Sequence, residues 1–324
     1  MNANPEHIPL APLAISQGDP GGIGPEIIVK ALASQPGLAQ QCVVHGDPDL
    51  LNATAKSLRL PIPPKIEVVA YTHGSSLTVG ASSALSGDHA FRCVVSAAKS
   101  VLAGKARALV TAPLSKQAMN LAGHHYPGHT ELLAELAGGQ AVRMMLANAE
   151  LRVVLVTIHQ PLAEAIRSLS IELIAQAIEI AAASLAVSLG RAPRLAVAGL
   201  NPHAGEAGLL GQEEIEIIAP AIELMRNKGI DAQGPFPPDT VFMSARGMAR
   251  YDAVIAMYHD QGLIPVKYLG VEDGVNITLG LPFVRTSPDH GTAFDIAGRG
   301  IAQAKSMASA LIAAIEMTTR ETRS

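Results

Sequence analysis

The sequence predicts an α/β fold on a largely parallel sheet. Short apolar, β-branched runs alternate with helix-like runs along the whole chain, which is the order of repeated βα units. Three of the apolar runs also end in the same way. Val153 to Ile158 leads into His159, Leu195 to Leu200 leads through Asn201-Pro202 into His203, and Asp252 to Tyr258 leads into His259. Each run reads as a buried strand. Each histidine then stands where a strand ends and a polar loop begins, and open α/β sheets bind ligands at the carboxyl ends of their strands. Three imidazoles gathered there would form a metal site with open positions. A lone histidine in such a loop is usually only a loop histidine; the repeated context is what favours a site.

Taken in order, Pro12 to Ser16 reads as a strand, followed by the glycine-rich segment Gly18 to Glu26 and an amphipathic run, Ile27 to Leu32. Cys42 to His45 and Ile66 to Ala70 are further strands. Ala90 to Leu102 reads as helix and Ala108 to Thr111 as strand. Ser170 caps a helix from Ile171 to about Ser188, with Ile174, Ile178 and Leu185 at helical spacing. Gln212 to Met225 and Ala302 to Thr318 are the remaining helices, and Val275 to Leu279 is strand-like.

Composition narrows the function. The chain has 324 residues and is 48% hydrophobic, enough for two domains or one large one with a sizeable core. The formal net charge of −4, the absence of a basic tract and the lack of tryptophan argue against nucleic acid and anionic membrane surfaces. No apolar run is expected to approach a bilayer span. Met1 to Pro9 is polar and carries no signal-peptide pattern. Cys42 and Cys93 each precede a valine and read as buried apolar groups in a reducing, cytoplasmic compartment.

Several clusters have the chemistry of a site. Gly18 to Glu26 is neither a G-x-G-x-x-G fingerprint, because Pro20 and Pro25 interrupt it, nor a Walker loop. Its glycines, including Gly22 and Gly24, permit close backbone approach, and its N–H groups could face an anion; equally, it is a tight strand-to-helix turn. In Gly128-His129-Thr130-Glu131, Thr130 is read as an N-cap, with an anion site or simple capping as the two alternatives. Lys267, Asn276 and Arg285 suit a phosphate or carboxylate, although each alone is an ordinary surface group. Asp239 lies in a proline-rich loop, where it orients a ligand or caps the next helix. The segment Ser287 to Gly298 is dense in small and hydrogen-bonding residues that could wrap a flat ring, or merely precede a helix.

These motifs together resemble the 4-hydroxythreonine-4-phosphate dehydrogenase family over nearly the whole chain. The resemblance rests on six segments in order: Gly18–Glu26, Thr111–Lys116, Gly128–Glu131, Asn201–Glu206, Tyr258–Gly262, and Gly274–Pro282 running on to Asp295. The first and last also resemble isocitrate and isopropylmalate dehydrogenases. The resemblance implies the two-domain fold of those enzymes, with an interdomain cleft. Residues 1–125 plus 282–324 would form the cofactor-side domain, and 126–281 the domain with the histidines and dimer interface. It implies a divalent cation (zinc, magnesium or cobalt) on His159, His203 and His259, shared across a homodimer. It implies a phosphorylated substrate on His129, Thr130, Lys267, Asn276 and Arg285. It places NAD or NADP against Gly22, Gly24, Asp289, His290, Gly291, Thr292, Ala293 and Asp295.

The implied reaction, part of pyridoxal 5′-phosphate biosynthesis, oxidises the secondary alcohol of 4-phosphooxy-threonine. Decarboxylation to 3-amino-2-oxopropyl phosphate follows. Lys116 and Asp239 are candidate general bases, beside a metal-bound water. Relatives acting on 4-phosphothreonate or other phosphorylated sugar acids keep most of these motifs. A branch acting on a terephthalate-derived dihydrodiol is disfavoured by the Gly128–Glu131 loop. A non-catalytic protein that binds a phosphorylated metabolite is the alternative of another class.

Overall fold

The computed structural model describes residues 10–71, 77–270 and 272–319; the polar segment 1–9 lies outside them. The chain divides into two compact units, Met1–Tyr126 with Gly291–Ala304, and Pro127–His290 with Lys305–Ser324.

In the first unit, β1 (Leu13–Ser16) leads to α1 (Gly24–Ser34), a single turn α2 (Pro36–Ala39), and β2 (Cys42–Gly46). Then come α3 (Pro48–Leu58), β3 (Ile66–Val68), α4 (Ala84–Leu102), β4 (Ala108–Thr111) and α5 (Lys116–Leu121). The strands are parallel in the order β3-β2-β1-β4. Leu13, Ala14 and Ile15 are fully buried, which is why the run reads as continuously apolar. Helix α4 begins earlier than its apolar periodicity suggests, because Ser83 and Ser86 form a reciprocal capping box. The returning segment Gly291–Ala304 is tied to α1 by Glu26, whose carboxylate accepts from Lys30 Nζ at 2.8 Å and from Ala302 N at 2.8 Å. Cys42 and Cys93 are free and buried, and burial pushes the Cys42 thiol up to about 12, so it behaves as an apolar group.

The second unit starts with α6 (His129–Leu136), β5 (Arg143–Ala147), β6 (Arg152–Leu155), α7 (Leu162–Ser168), α8 (Ile171–Leu189) and β7 (Leu195–Ala198). It continues with α9 (Ala219–Asn227), β8 (Ala232–Phe236), α10 (Val241–Ala245), β9 (Ala253–Ala256) and α11 (His259–Gly270). It closes with β10 (Val275–Leu279), β11 (Val284–Pro288) and α12 (Lys305–Thr319). The strand order is β11-β10-β5-β6-β9-β7-β8. Strands β6, β9, β7 and β8 run parallel, while β5, β10 and β11 pair antiparallel. The sheet is thus less uniformly parallel than the sequence suggests: β11 is largely polar, and the short apolar run Met144–Ala147 of β5 does not record the direction of its pairing.

Residues 284–288 and 305–319, grouped by the sequence reading with residues 1–125, cluster here with the second unit. The cause is pairing: β11 is laid against β10, and α12 packs along β11. Among the described residues α8 is long and apolar enough to cross a membrane by length and composition, which corrects the expectation that no run approaches that length. Its buried face, with Ile174, Ala177, Ile178, Ala181 and Leu185, packs on β5, β6 and β10. Ser170 caps it as expected, its Oγ accepting from Leu173 N at 3.1 Å, and Gly190 ends it in the left-handed region.

Candidate functional site

Strands β6, β9 and β7 are adjacent and parallel, so their carboxyl ends lie side by side. His159 follows β6, His259 opens α11 directly after β9, and His203 follows β7. The rings of His159 and His259 stand 5.5 Å apart between centroids, tilted by 43°. His259 Nδ1 lies 2.7 Å from Asp260 Oδ1. A carboxylate can only accept, so Nδ1 is the donor in this contact and Nε2 is the ring nitrogen left for a ligand. That is the second-partner arrangement metal-binding histidines use. Both histidines border a cavity of about 400 Å³, lined also by Thr157, Ile158, Leu162 and Tyr258. His203 is exposed. Among the described residues, no group of three or more His, Cys, Asp and Glu side chains within the single chain is close enough to hold a metal ion.

The backbone at two of these histidines is unusual. His159 has φ 42°, and the stretch His203, Ala204, Gly205, Glu206 and Ala207 lies wholly in the left-handed region, with φ between 43° and 78°. Left-handed conformation costs a non-glycine residue roughly 1–2 kcal/mol. Such strain persists only where the surroundings over-determine it. The Asn201–Glu206 motif reads in sequence as a glycine-containing loop, and nothing in its residue types announces this conformation.

The phosphate-side residues share one face of the sheet. In the antiparallel register Thr278 faces Arg285 and Asn276 faces Ser287, so all four side chains project to the same side. Arg285 is 3% exposed, and its Nη1 donates to Thr278 Oγ1 at 3.0 Å. Burial lowers its pKa to about 10, with the negative Glu131 in the first turn of α6 opposing that shift. It remains a cation at neutral pH. Lys267, on α11, makes an ion pair with Asp289 at 3.1 Å. A residue assigned by resemblance to the substrate and one assigned to the cofactor are therefore partners of each other. His129 and Thr130 are the first two residues of α6. Thr130 is not the N-cap: Gly128 takes that place, in extended backbone and without a side-chain cap.

The glycine-rich loop is packed internally. Gly21 N donates to Asp19 Oδ1, Gly22 N to Asp19 O, and Ile23 N to Thr292 O. These three N–H groups bond within the chain, as the tight-turn alternative requires. A Cβ on Gly22 would stand 2.7 Å from Thr292 O, and one on Gly24 2.5 Å from Gln17 O. The glycines thus serve close approach to the chain's own backbone. The same contact brings Gly22 against Thr292, joining two of the segments assigned to the cofactor. Ala293 is left-handed at φ 41°, Gly291 and Asp295 are exposed, and His290 is exposed at the end of the second unit. Lys116 is the exposed first residue of α5, in the first unit. Asp239 is exposed in a turn of the second unit and does not cap α10, whose N-cap is Thr240.

The fold defines an α/β protein with histidines following the carboxyl ends of adjacent strands and polar side chains on one sheet face. Comparison with known proteins narrows that class. A family model described as "Pyridoxal phosphate biosynthetic protein PdxA" matches residues 38–314, and the chain belongs to this family. A 4-hydroxythreonine-4-phosphate dehydrogenase from Beijerinckia indica subsp. indica is 53% identical over 315 residues, covering 92% of this chain and 93% of that one. A D-threonate 4-phosphate dehydrogenase from Pectobacterium atrosepticum is 44% identical over 325 residues, covering 94% and 98%. The crystal structure of 4-hydroxythreonine-4-phosphate dehydrogenase from Klebsiella pneumoniae superposes with a TM-score of 0.87 at 44% identity, covering 95% and 99%. Isocitrate dehydrogenase from Methylococcus capsulatus, at 15% identity and a TM-score of 0.50, shares the fold. The relatives are dehydrogenases, and the chain is an enzyme of their family.

Proposed function

We propose that this protein oxidises the secondary alcohol of 4-phosphooxy-threonine with NAD or NADP, and that decarboxylation to 3-amino-2-oxopropyl phosphate follows, in pyridoxal phosphate biosynthesis. The observation that carries this reading is the polar sheet face of Arg285, Thr278 and Asn276 beside the start of α6, in a chain 53% identical to a relative of that name.

In this reading Arg285, Lys267, Asn276, His129 and Thr130 hold the phosphate. Arg285 is pre-placed by burial and by Thr278, so little rotamer freedom remains to be lost on binding. This distant anchor orients the carbinol carbon. Nicotinamide cofactor, resting on Gly22, Gly24, Asp289, His290, Gly291, Thr292, Ala293 and Asp295, supplies the hydride acceptor. His159, His203 and His259 suit a divalent cation by their donor chemistry and by the Asp260 contact. When bound, zinc, magnesium or cobalt supplies Lewis acidity at the carbinol oxygen. The hydroxyl proton leaves to a base, for which Lys116 and Asp239 are the candidates. The C–H electron pair leaves as hydride, generating a β-keto acid. The carboxylate then departs as carbon dioxide, its bonding pair passes to the adjacent carbon, and a proton closes the product.

A homodimer fits the surface around His159 and His259. Leu162, Ile264 and Tyr268 are 54%, 65% and 90% exposed there, more apolar area than a solvent-facing site needs. A second copy covering them would complete a three-histidine set. The proposed compartment is the cytoplasm.

The second reading is oxidation of 4-phosphothreonate, favoured by the 44% identical relative of that activity. Both substrates carry the same phosphate, so the polar face serves either. A panel of 4-phosphooxy-threonine and 4-phosphothreonate, each with NAD and NADP, separates them by cofactor reduction. Reduction with the first substrate alone supports the proposal. Reduction with the second alone selects the other reading, and tight binding without reduction by either points to a non-catalytic protein.

A further inference from the structure

The strand ends that carry the three histidines are laced together by buried side chains. Thr157, just before the His159 turn, donates from Oγ1 to Met257 O at 2.8 Å. Met257 N donates to Gln261 Oε1 at 2.6 Å, and Gln261 Nε2 donates onward to Gly199 O at 2.7 Å. The amides of Leu200 and Asn201 both donate to Glu214 Oε1 at 2.7 Å, and Asn201 Nδ2 donates to Glu214 Oε2 at 2.9 Å. Thr157, Gln261 and Glu214 are all buried. This is a continuous polar path from the end of β6, through the end of β9, to the end of β7 and the left-handed stretch with His203.

We infer that Gln261 and Glu214 are positioning residues: Gln261 fixes the β9 end against the β7 end, and Glu214 holds the backbone that enters the His203 stretch, so together they set how the three imidazoles present to a cation. Three features carry this. First, Gln261 uses both ends of its amide, one on each strand, so it fixes a spacing and not merely a hydrogen-bond need. Second, Glu214 stands in an irregular turn, Glu214–Ile218, wound with i→i+5 bonds, at the start of the helix that continues into α9. Such an insertion costs helix regularity and recurs at functional sites. Third, the Glu214 carboxylate bonds the backbone at the entrance of the left-handed stretch, at Leu200 and Asn201, and lies so close to its middle that a Cβ on Gly205 would stand 2.7 Å from Glu214 Oε2. Partners that orient metal-binding side chains usually affect affinity or activity by roughly 10- to 100-fold when removed.

The inference rests on the cation reading above, and its test separates the two. Zinc or cobalt(II) is titrated calorimetrically into wild-type protein, Gln261→Met, Glu214→Gln and His203→Ala, with hydrogen exchange followed at the amides of Met257, Leu200 and Asn201. We expect roughly 10- to 100-fold weaker cation affinity in Gln261→Met and Glu214→Gln, faster exchange at those amides, and an altered cobalt(II) visible spectrum. Cation addition should slow the same amides in wild-type protein, a measurement that needs no variant to fold. Wild-type affinity and spectrum in a folded Gln261→Met, or amides indifferent to the cation in wild-type protein, overturn the inference. If His203→Ala alone loses the cation, the metal reading stands without it; if wild-type protein takes no cation, both fall.

Discussion

The amino ends of β7 and β9 and the carboxyl ends that carry the histidines are built on opposite rules. At the amino end of β7 and β9, the carboxylate of Asp252 is buried and fully paired. It receives two bonds from Arg191, at 2.7 and 2.8 Å, and one from Arg194 N at 2.7 Å. Burial alone would raise its pKa, but these bonds outweigh burial and hold it far below the usual carboxylate range. At the carboxyl end stand the exposed His159 and His203, both on backbone with positive φ, and the half-buried His259. Charge is neutralised at one end and strain is kept at the other. The lesson is that the amino end is spent on stability and the carboxyl end on ligand chemistry.

The largest expected effect breaks the carboxyl end. His203→Ala should reduce turnover by about 1,000-fold or more, the scale of several kcal/mol in the barrier, while shifting the melting temperature little because the ring is exposed. Steady-state kinetics with a parallel thermal melt checks both halves; a large melt shift with intact kcat would erase the contrast between the ends.

Arg285→Ala comes next. Removing a charge-assisted donor worth roughly 1.5–3 kcal/mol should lower kcat/KM about 10- to 100-fold for a phosphorylated substrate. Part of that loss should fall in kcat, since the anchor also orients the carbinol. Because Arg285 is buried, kinetics should be read on protein shown folded by circular dichroism. Equal kcat/KM in variant and wild type would remove the phosphate from this face.

At the amino end, Asp252→Ala should destabilise the fold by somewhat less than the roughly 3–5 kcal/mol of a fully buried pair, because both arginines are partly exposed. Activity per folded molecule should not change. The pH dependence has a definite sign. The folded pKa lies below the unfolded value of about 3.9, so the contribution is fully present above that value and lost as pH falls through the folded one. Denaturant midpoints at neutral and acid pH should therefore show the variant's deficit shrinking only under acid. A deficit constant down to strong acid would mean that packing, and not charge, is responsible.

The smallest effect probes strain. Ala207→Gly should stabilise by roughly 0.5–1 kcal/mol, the left-handed penalty less the entropy that glycine adds to the unfolded chain. Chemical denaturation resolves this; a loss of stability would show that the left-handed stretch is not strained at that position.

Much of the contrast was legible in the sequence. Apolar β-branched runs ending in His159, His203 and His259 located the strand ends, and Ser170 located the start of α8. Their adjacency was not legible, because the order β6-β9-β7 is set by long-range pairing that no local pattern records. Thr130 was misplaced as a cap because a glycine in extended backbone serves that role. The glycine-rich loop was ambiguous by composition, and only the structure reveals that the N–H groups of Gly21, Gly22 and Ile23 bond within the chain. Gln261 lies in the motif Tyr258–Gly262 and Glu214 in the helix read from Gln212, but neither has a role legible in sequence: a glutamine after His-Asp and the second of two glutamates look like solvent-facing helix residues.

The most direct test of the central claim is cofactor reduction by wild-type protein and His203→Ala with 4-phosphooxy-threonine, with and without added divalent cation after chelator treatment. The account predicts turnover in wild-type protein that chelation removes and cation restores, and none in His203→Ala under either condition. Cation-independent turnover in wild-type protein, or a fully active His203→Ala, would contradict it.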